Sequence, residues 1–382
     1  MKKNAKRLHL FYYINIIIGL FMIDQSGISQ SINQNIIKLT ADYTNARPLK
    51  MSELFSEIRY LPLETNPNCL IGYMNIPVFS KDIIIRSYSG NGDIFRFSEQ
   101  GKFLNKIGKM GRGPGEYQDN CDVLLIGDTI FVVSNFSNDL VCYSLSGEFL
   151  RKYHLSIKAR PKSIVQLPDK SFMISLSNPS DFGIILITDR EFNIKTGFIK
   201  NVPLDDNPLA SSFQKSKDKI FYYYNYIDTI FEISRGYPIP SIIIDYGKYK
   251  TSQEKLSIYE KDNVVLNKPR ILDFNSSSNY LHLSIYYPFK KSTYAVLYRI
   301  TDGKQFIWTN LINDLDSGTL DRWPGFLVEN NLIFWLMPST ILERFKNMTN
   351  SERLALKNSG FVDMASKIKP ESNPVLMICK FK

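Results

Sequence analysis

The chain has 382 residues, 44% of them apolar and 13% aromatic, ample for a large buried core in one big domain or two ordinary ones. Its formal net charge is +10, but no Lys/Arg cluster is dense enough for nucleic acid, and that class of partner is excluded. A basic surface favours acidic glycans or anionic membrane surfaces without choosing between them.

Residues 1–29 read as an export signal. Lys2, Lys3, Lys6 and Arg7 precede the apolar run "LHLFYYINIIIGLFMI", and small residues at Gly27 and Ser29 place the cleavage before Gln30. The run is shorter than the roughly 20 residues of a comfortable span, so no transmembrane segment is expected in the mature chain. No cysteine stands at the cleavage point, so a lipobox anchor is not supported. The expected location is the periplasm or the cell surface. Cleavage lowers the formal charge to +7.

After an N-terminal extension (30–55), residues 56–382 read as one repeating unit. "DIFRFSEQGKFLNKI" (93–107) aligns without gaps to "DLVCYSLSGEFLRKY" (139–153), a period of 46 residues that matches Gly101 to Gly147. Each copy is an apolar strand, a Gly-containing turn and a second apolar strand, which is a hairpin. Looser copies are "DTIFEISRGYPIPSIIID" (228–245) and "YAVLYRITDGKQFIW" (294–308), with short paired strands between them. Four strands every 40–50 residues is the signature of a β-propeller blade. The expected fold is all-β, a six-bladed β-propeller.

Blades are expected over 71–107, 119–153, 161–198, 209–246 and 269–308. The sixth has only "GFLVENNLIFWLM" (325–337) and "NPVLMICKFK" (373–382), and "SEIRYLPLET" (56–65) supplies its missing strand, which closes the ring and hides its edges. Residues 338–372 break the strand pattern. Capping-box pairs Thr340/Glu343 and Thr349/Glu352 introduce short helices, the second ending at Gly360. The four cysteines Cys69, Cys121, Cys142 and Cys379 have neither zinc-site nor CxxC spacing; free buried thiols are preferred to a Cys69–Cys379 bridge, the one pair that ring closure would bring near.

In a four-stranded meander the turn between strands two and three shares a face with the connector to the next blade. The connectors "GKMGRGPGEYQ", "KNVPLDDNPLA", "GKYKTSQEKLSIYEKDNVVLNK" and "NLINDLDSGTLDRWPG", and the helical insert, therefore all fall on one face. Long loops on a rigid scaffold are where recognition resides. Candidate contact residues there are Arg112, Glu116 and Tyr117 from the first connector, with Arg112 toward the channel mouth, and Asp321, Arg322 and Trp323 from the last. An exposed Trp flanked by hydrogen-bonding side chains suits a sugar ring, and packing of Trp323 in the core is the alternative. Trp308 and Trp335 sit in strand patterns and read as core.

The glycine-rich stretch does not read as a phosphate loop, because Gly115 leads into Glu116-Tyr117 and a strand where a P-loop needs Ser/Thr and a helix. It reads as a corner between blades, with Gly111, Gly113 and Gly115 free to take positive φ. Asp119 and Asp122, with Asn120 between, would suit calcium, although turn capping is the preferred reading and no cofactor is called for. His154 and His282 stand far apart, and no GxSxG nucleophile motif is present.

With the blades laid out, "IRYLPLET" followed by "CLIG", "GKFLNKIGKMGRGPGEY", "IDTIFEI" with "IIIDYGKY", "INDLDSG" and the terminal "NPVLMICKFK" resemble the bacterial six-bladed β-propeller family of exported proteins, common in Bacteroidetes and related to NHL-repeat propellers. NHL propellers carry a similar GxGxGpGqF corner. The resemblance implies architecture and location more than activity. Many members look like lipoproteins, a pattern this chain departs from. The expected function is non-enzymatic binding of a glycan, peptide or envelope protein by a monomer, in nutrient capture or envelope signalling. The alternative is a metal-dependent hydrolase or lyase of the propeller type, as in gluconolactonase-like enzymes, with acids lining the channel.

Overall fold

Period-two alternation of β-branched and aromatic residues between short turns produces antiparallel hairpins, and six pairs of hairpins make up the chain. The computed structural model describes residues 36–72, 78–87, 92–198, 211–216, 219–224, 227–249, 269–320, 325–356 and 359–382. Five sheets each contain a four-stranded meander of consecutive strands, two of them with a further strand at the outer edge, and the sixth completes three C-terminal strands with one from the N-terminal part of the chain. Blade 1 holds Val78–Phe79, Asp82–Arg86, Ile94–Ser98 and Phe103–Lys106; blade 2 holds Asp122–Ile126, Thr129–Ser134, Asp139–Ser144 and Phe149–His154. Blade 3 is Pro161–Gln166, Phe172–Ser180, Gly183–Thr188 and Ile194–Phe198, and blade 4 is Ser211–Ser216, Lys219–Tyr224, Thr229–Ser234 and Tyr237–Asp245. Blade 5 is Arg270–Ser276, Tyr280–Tyr287, Ser292–Arg299 and Gln305–Ile312.

Blade 6 joins Phe326–Val328, Asn331–Leu336 and Val375–Phe381 to Phe55–Pro62, which pairs antiparallel with the C-terminal strand in the register Leu61↔Leu376. The ring is thus closed by both ends of the chain, as the sequence predicts. Alternate residues of one strand serve two interfaces. In blade 1, Ile83 and Ile85 pack with Phe326, Ile333 and Trp335 of blade 6, while Ile84 packs with Val123, Ile130 and Val141 of blade 2. Further cores join blades 2, 3 and 4, blades 4 and 5, and blades 5 and 6, so every neighbouring pair shares buried apolar surface.

The repeated glycine has a packing reason. Gly101 and Gly147 occupy the turn between strands three and four at φ of 78° and 88°. A Cβ on Gly101 would lie 2.5 Å from the Pro62 carbonyl oxygen, and one on Gly147 would lie 2.1 Å from that of Lys106. In both cases the turn abuts the end of the outermost strand of the preceding blade.

The stretch read as an extension does more than precede the propeller. Ile37–Thr40 adds a fifth, parallel strand to blade 4, and Arg47–Lys50 does the same for blade 5. The chain then runs into the outer strand of blade 6, so one segment laces three blades and covers two sheet edges. Leu39 and Leu49 are buried by this. Leu39→Ala and Leu49→Ala are each expected to lower stability by ~2–4 kcal/mol in chemical denaturation; a cost below ~0.5 kcal/mol, as at ordinary surface sites, would show that these strands are dispensable.

The insert of blade 6 contains helices α1 (Pro338–Asn347), α2 (Asn350–Ala355) and α3 (Gly360–Ala365). Thr349 and Glu352 form the expected capping box on α2. Thr340 and Glu343 do not cap, because Pro338 starts α1 earlier and places both inside it. Gly360 opens α3, capped by Ser359, and does not close α2. All four cysteines are free. Cys69 lies in the core between blades 6 and 1, whereas Cys379 lies in the core between blades 5 and 6, so they point to opposite sides of the closing blade. Among the described residues no helix is long and apolar enough to cross a membrane.

Candidate binding face

The meander puts the turns between strands two and three on the same face as the connectors between blades, and the insert of blade 6 is such a two-to-three connection. The glycine-rich corner is the best-defined connector. Its glycines act mainly by letting other groups approach. Gly108 alone has positive φ, and a Cβ there would lie 2.4 Å from the Tyr143 ring. Gly111 and Gly113 surround the Glu116 carboxylate, which accepts the Gly113 amide at 2.9 Å, and Gly115 rests on Phe149. That amide bond, with Lys109 beside it, holds the Glu116 carboxyl below its usual range. Glu116 is therefore a staple inside the loop.

Tyr117 corrects the sequence reading, because it is fully buried. Its ring meets Tyr143 edge-to-face at 6.2 Å and its hydroxyl donates to the Gly92 carbonyl at 3.2 Å. An aromatic anchor beneath a glycine corner removes more apolar area from water than a surface contact does. Gly115 rests on Phe149 of the outermost strand of blade 2, and Asn120 Nδ2 donates to the Gly92 carbonyl of blade 1 at 2.7 Å, so the corner is held by both blades. Of the three candidates here, only Arg112 is exposed.

At the start of blade 2 the acids are engaged by the protein. Asp119 Oδ1 accepts the Ser134 hydroxyl at 3.0 Å and the Phe136 amide at 2.9 Å. Asp122 accepts the amides of Val123 (2.9 Å) and Ile164 (3.1 Å), with Arg86 Nη2 at 4.0 Å. Burial raises both carboxyls, and Arg86 partly offsets this at Asp122. Arg86 Nη1 donates to the carbonyls of Asn120 (2.7 Å) and Cys121, tying blade 1 to blade 2. The calcium-type trio thus caps turns and ties blades together. Burial pushes the Cys121 thiol up to about 11, so it stays protonated at neutral pH and is a poor nucleophile.

Asp321, Arg322 and Trp323 lie outside the described residues. The part of that connector just before them is anchored: Tyr60 donates to Asp316 Oδ2 at 2.8 Å, Asn313 Nδ2 to Asp316 Oδ1 at 2.7 Å, and Arg344 Nε of α1 to the Ser317 carbonyl at 2.9 Å. Trp308 and Trp335 are core residues, as expected.

Sequence reasoning missed a second regularity. In five of the six blades the second residue after the second strand is aromatic: Tyr88, Phe136, Phe182, Tyr226 and Phe289. Tyr88 and Tyr226 lie outside the described residues, and blade 6 has Pro338 of α1 at that place. Phe136 is 68% exposed, Phe182 44% and Phe289 40%. Aligned strand ends carry this signal, whereas the repeat visible in the sequence is the three-to-four hairpin, where the glycine is. The Arg160 guanidinium covers Phe136 at 5.8 Å, and Phe289 stacks on Tyr249 at 4.2 Å.

A ring of six blades, closed by the pairing of Phe55–Pro62 with the C-terminal strand, defines a six-bladed β-propeller. The model of the family described as "Domain of unknown function (DUF4934)" matches residues 34–380, and the chain belongs to that family. No curated protein matches it. Among solved structures it is similar to a "Putative exported protein" from Bacteroides fragilis, at 18% identity and a TM-score of 0.72 over 91% of this chain and 99% of that one. It is also similar to a member of the DUF4221 family from Bacteroides vulgatus, at 10% identity and a TM-score of 0.49 over 86% and 97% of the two chains. A third likeness is to virginiamycin B lyase from Staphylococcus aureus, at 12% identity and a TM-score of 0.41 over 73% and 81%. At 18% identity the first of these likenesses speaks for the fold alone.

Proposed function

We propose that this propeller is exported to the periplasm or cell surface and binds a glycan, peptide or envelope protein on its long-connector face, without catalysis. The consideration that supports this reading is strand order: the inter-blade connectors and the three-helix insert leave from the same strand ends, while the three-to-four turns Ser98–Gly101 and Ser144–Gly147 are tight. A rigid ring with its variable-length segments on one side is a recognition scaffold. Export rests on the basic and apolar start of the chain and fits the Bacteroides fragilis neighbour's description. The hydrolase or lyase alternative needs carboxylates free to hold a metal, and Asp119 and Asp122 already accept protein donors.

The test is a glycan and peptide array, with pull-down from an envelope fraction, using the mature chain and the variants Arg112→Ala and Trp323→Ala. The expected result is a ligand whose capture at least one of these variants weakens by ~10-fold, the scale of a binding hot spot. Capture unchanged in both variants and in insert variants on α1 would remove the face from consideration.

A further inference from the structure

Among the described residues, the outer strands of blades 1, 2 and 3 (Phe103–Lys106, Phe149–His154 and Ile194–Phe198) pair on one side only. The same edges of blades 4 and 5 are covered, because Ile37–Thr40 and Arg47–Lys50 pair parallel with them. The molecule therefore already uses strand addition at this position. The bare and covered edges differ in chemistry. The three bare strands carry Lys106, Arg151, Lys152, His154 and Lys195 and no acid. The covered outer strands, Tyr237–Asp245 and Gln305–Ile312, carry no cation.

Blade 2 has the longest bare edge, and five of its six residues are exposed, Phe149 and Leu150 among them. Lys152 and His154 reach Asp139 at 3.7 and 2.9 Å, while Arg151 lies 5.3 Å over the Tyr153 ring without an ion pair among the described residues. The Leu155 amide donates to the Asn138 carbonyl at 2.8 Å. Counting back by twos, the Tyr153 and Arg151 amides also face the neighbouring strand, and those of Lys152 and His154 face outward. The turn before this strand abuts the Lys106 carbonyl at the end of the blade 1 strand, so the two bare edges follow one another.

We propose that the outer edge of blade 2 takes up an extended acidic polypeptide segment as a fifth strand. This surface goes beyond the long-connector reading and does not depend on it. An added strand would pair with the outward amides and carbonyls, as Ile37–Thr40 does on blade 4. Its side chains would meet Arg151 on one face and Lys152 on the other, with Phe149 and Leu150 as apolar neighbours. Lysine on an edge discourages pairing with a like-charged strand, which disfavours the equally basic edge of a second copy. The same charges favour an acidic segment.

Binding is measured by fluorescence anisotropy on the mature chain with a labelled peptide of alternating Glu and Val. The controls are its Lys/Val counterpart and a Glu/Val peptide N-methylated at every amide, which keeps the charge and loses the donors. The expected result is binding of the Glu/Val peptide that weakens as NaCl rises, with both controls weaker by ~10-fold or more. Lys152→Pro and Lys152→Ala separate pairing from charge, since both delete the ammonium and only the first deletes the outward amide. The Pro variant is expected to bind ~3–10-fold more weakly than the Ala variant, the scale of one hydrogen bond. Arg151→Glu is expected to weaken binding by ~3–10-fold. Unchanged thermal melts verify folding, and if Lys152→Pro melts early, Arg151→Glu and the N-methylated peptide decide. Absence of Glu/Val binding, equal binding of either control, or equal affinity of two folded Lys152 variants overturns the proposal.

Discussion

Gly147→Ala is expected to lower stability by about 3 kcal/mol or more, whereas Gly127→Ala on the same blade lowers it by only ~1 kcal/mol. Both glycines have positive φ, 88° and 55°, so both substitutions carry backbone strain. The difference lies in the surroundings. Nothing lies within 4 Å of a Cβ built on Gly127, but one on Gly147 would be 2.1 Å from the Lys106 carbonyl oxygen, well inside van der Waals contact. That oxygen belongs to the end of the outer strand of blade 1, so relief requires two blades to separate. The adjacent Gly108 amide, which donates to the Gly147 carbonyl at 3.3 Å, would be displaced as well. Gly101→Ala meets the equivalent obstacle at Pro62 and should behave like Gly147→Ala. Urea denaturation of the three variants decides this, and equal costs at Gly127 and Gly147 would mean that the inter-blade contact yields easily.

These glycines also explain what the sequence made legible. The repeat could be read because the same contact, a turn against the preceding blade, recurs at Gly101 and Gly147 and fixes the same residue in both copies. Ring closure was legible because blade 6 lacks a strand that only the 56–65 stretch can supply. The strands Ile37–Thr40 and Arg47–Lys50 were not, since each has four residues and pairs parallel to a distant strand, without a hairpin turn to announce it. The burial of Tyr117 is not legible in the sequence, because a polar, glycine-rich stretch suggests a surface loop. Its burial is decided by Tyr143 and Gly92, which no local pattern ties to it. The face was legible through connector length, while the turn aromatics became visible only when the ends of the second strands were known.

The second large effect is expected from a buried polar group that sequence spacing did not single out. In blade 5, Asp273 stands opposite Ser284 and Asn275 opposite His282 on adjacent strands. His282 is fully buried against Trp308, and neither ring nitrogen nor the Ser284 hydroxyl has a protein partner. Burial lowers the His282 pKa from 6.5 to about 4, and burial raises that of Asp273 from 3.8 to about 6 despite the bond from Asn275. The two shifts act on stability with opposite sign. Between about pH 4 and 6.5 the unfolded chain protonates His282 and the native chain does not, so this residue makes stability fall as pH drops. Between about pH 3.8 and 6 the unfolded chain ionises Asp273 while the native chain keeps the proton, so that residue makes stability fall as pH rises. Each contribution is ~3 kcal/mol across its window. The two nearly cancel where the windows overlap, and single substitutions should expose them. Asp273→Asn is expected to gain ~3 kcal/mol of stability relative to wild type on going from pH 4 to pH 7. His282→Phe, which keeps a ring on Trp308, is expected to lose a similar amount over the same range. Denaturation curves from pH 4 to 7 give the slopes, and slopes of the same sign in the two variants would show that Asp273 and His282 do not titrate as buried, opposed groups.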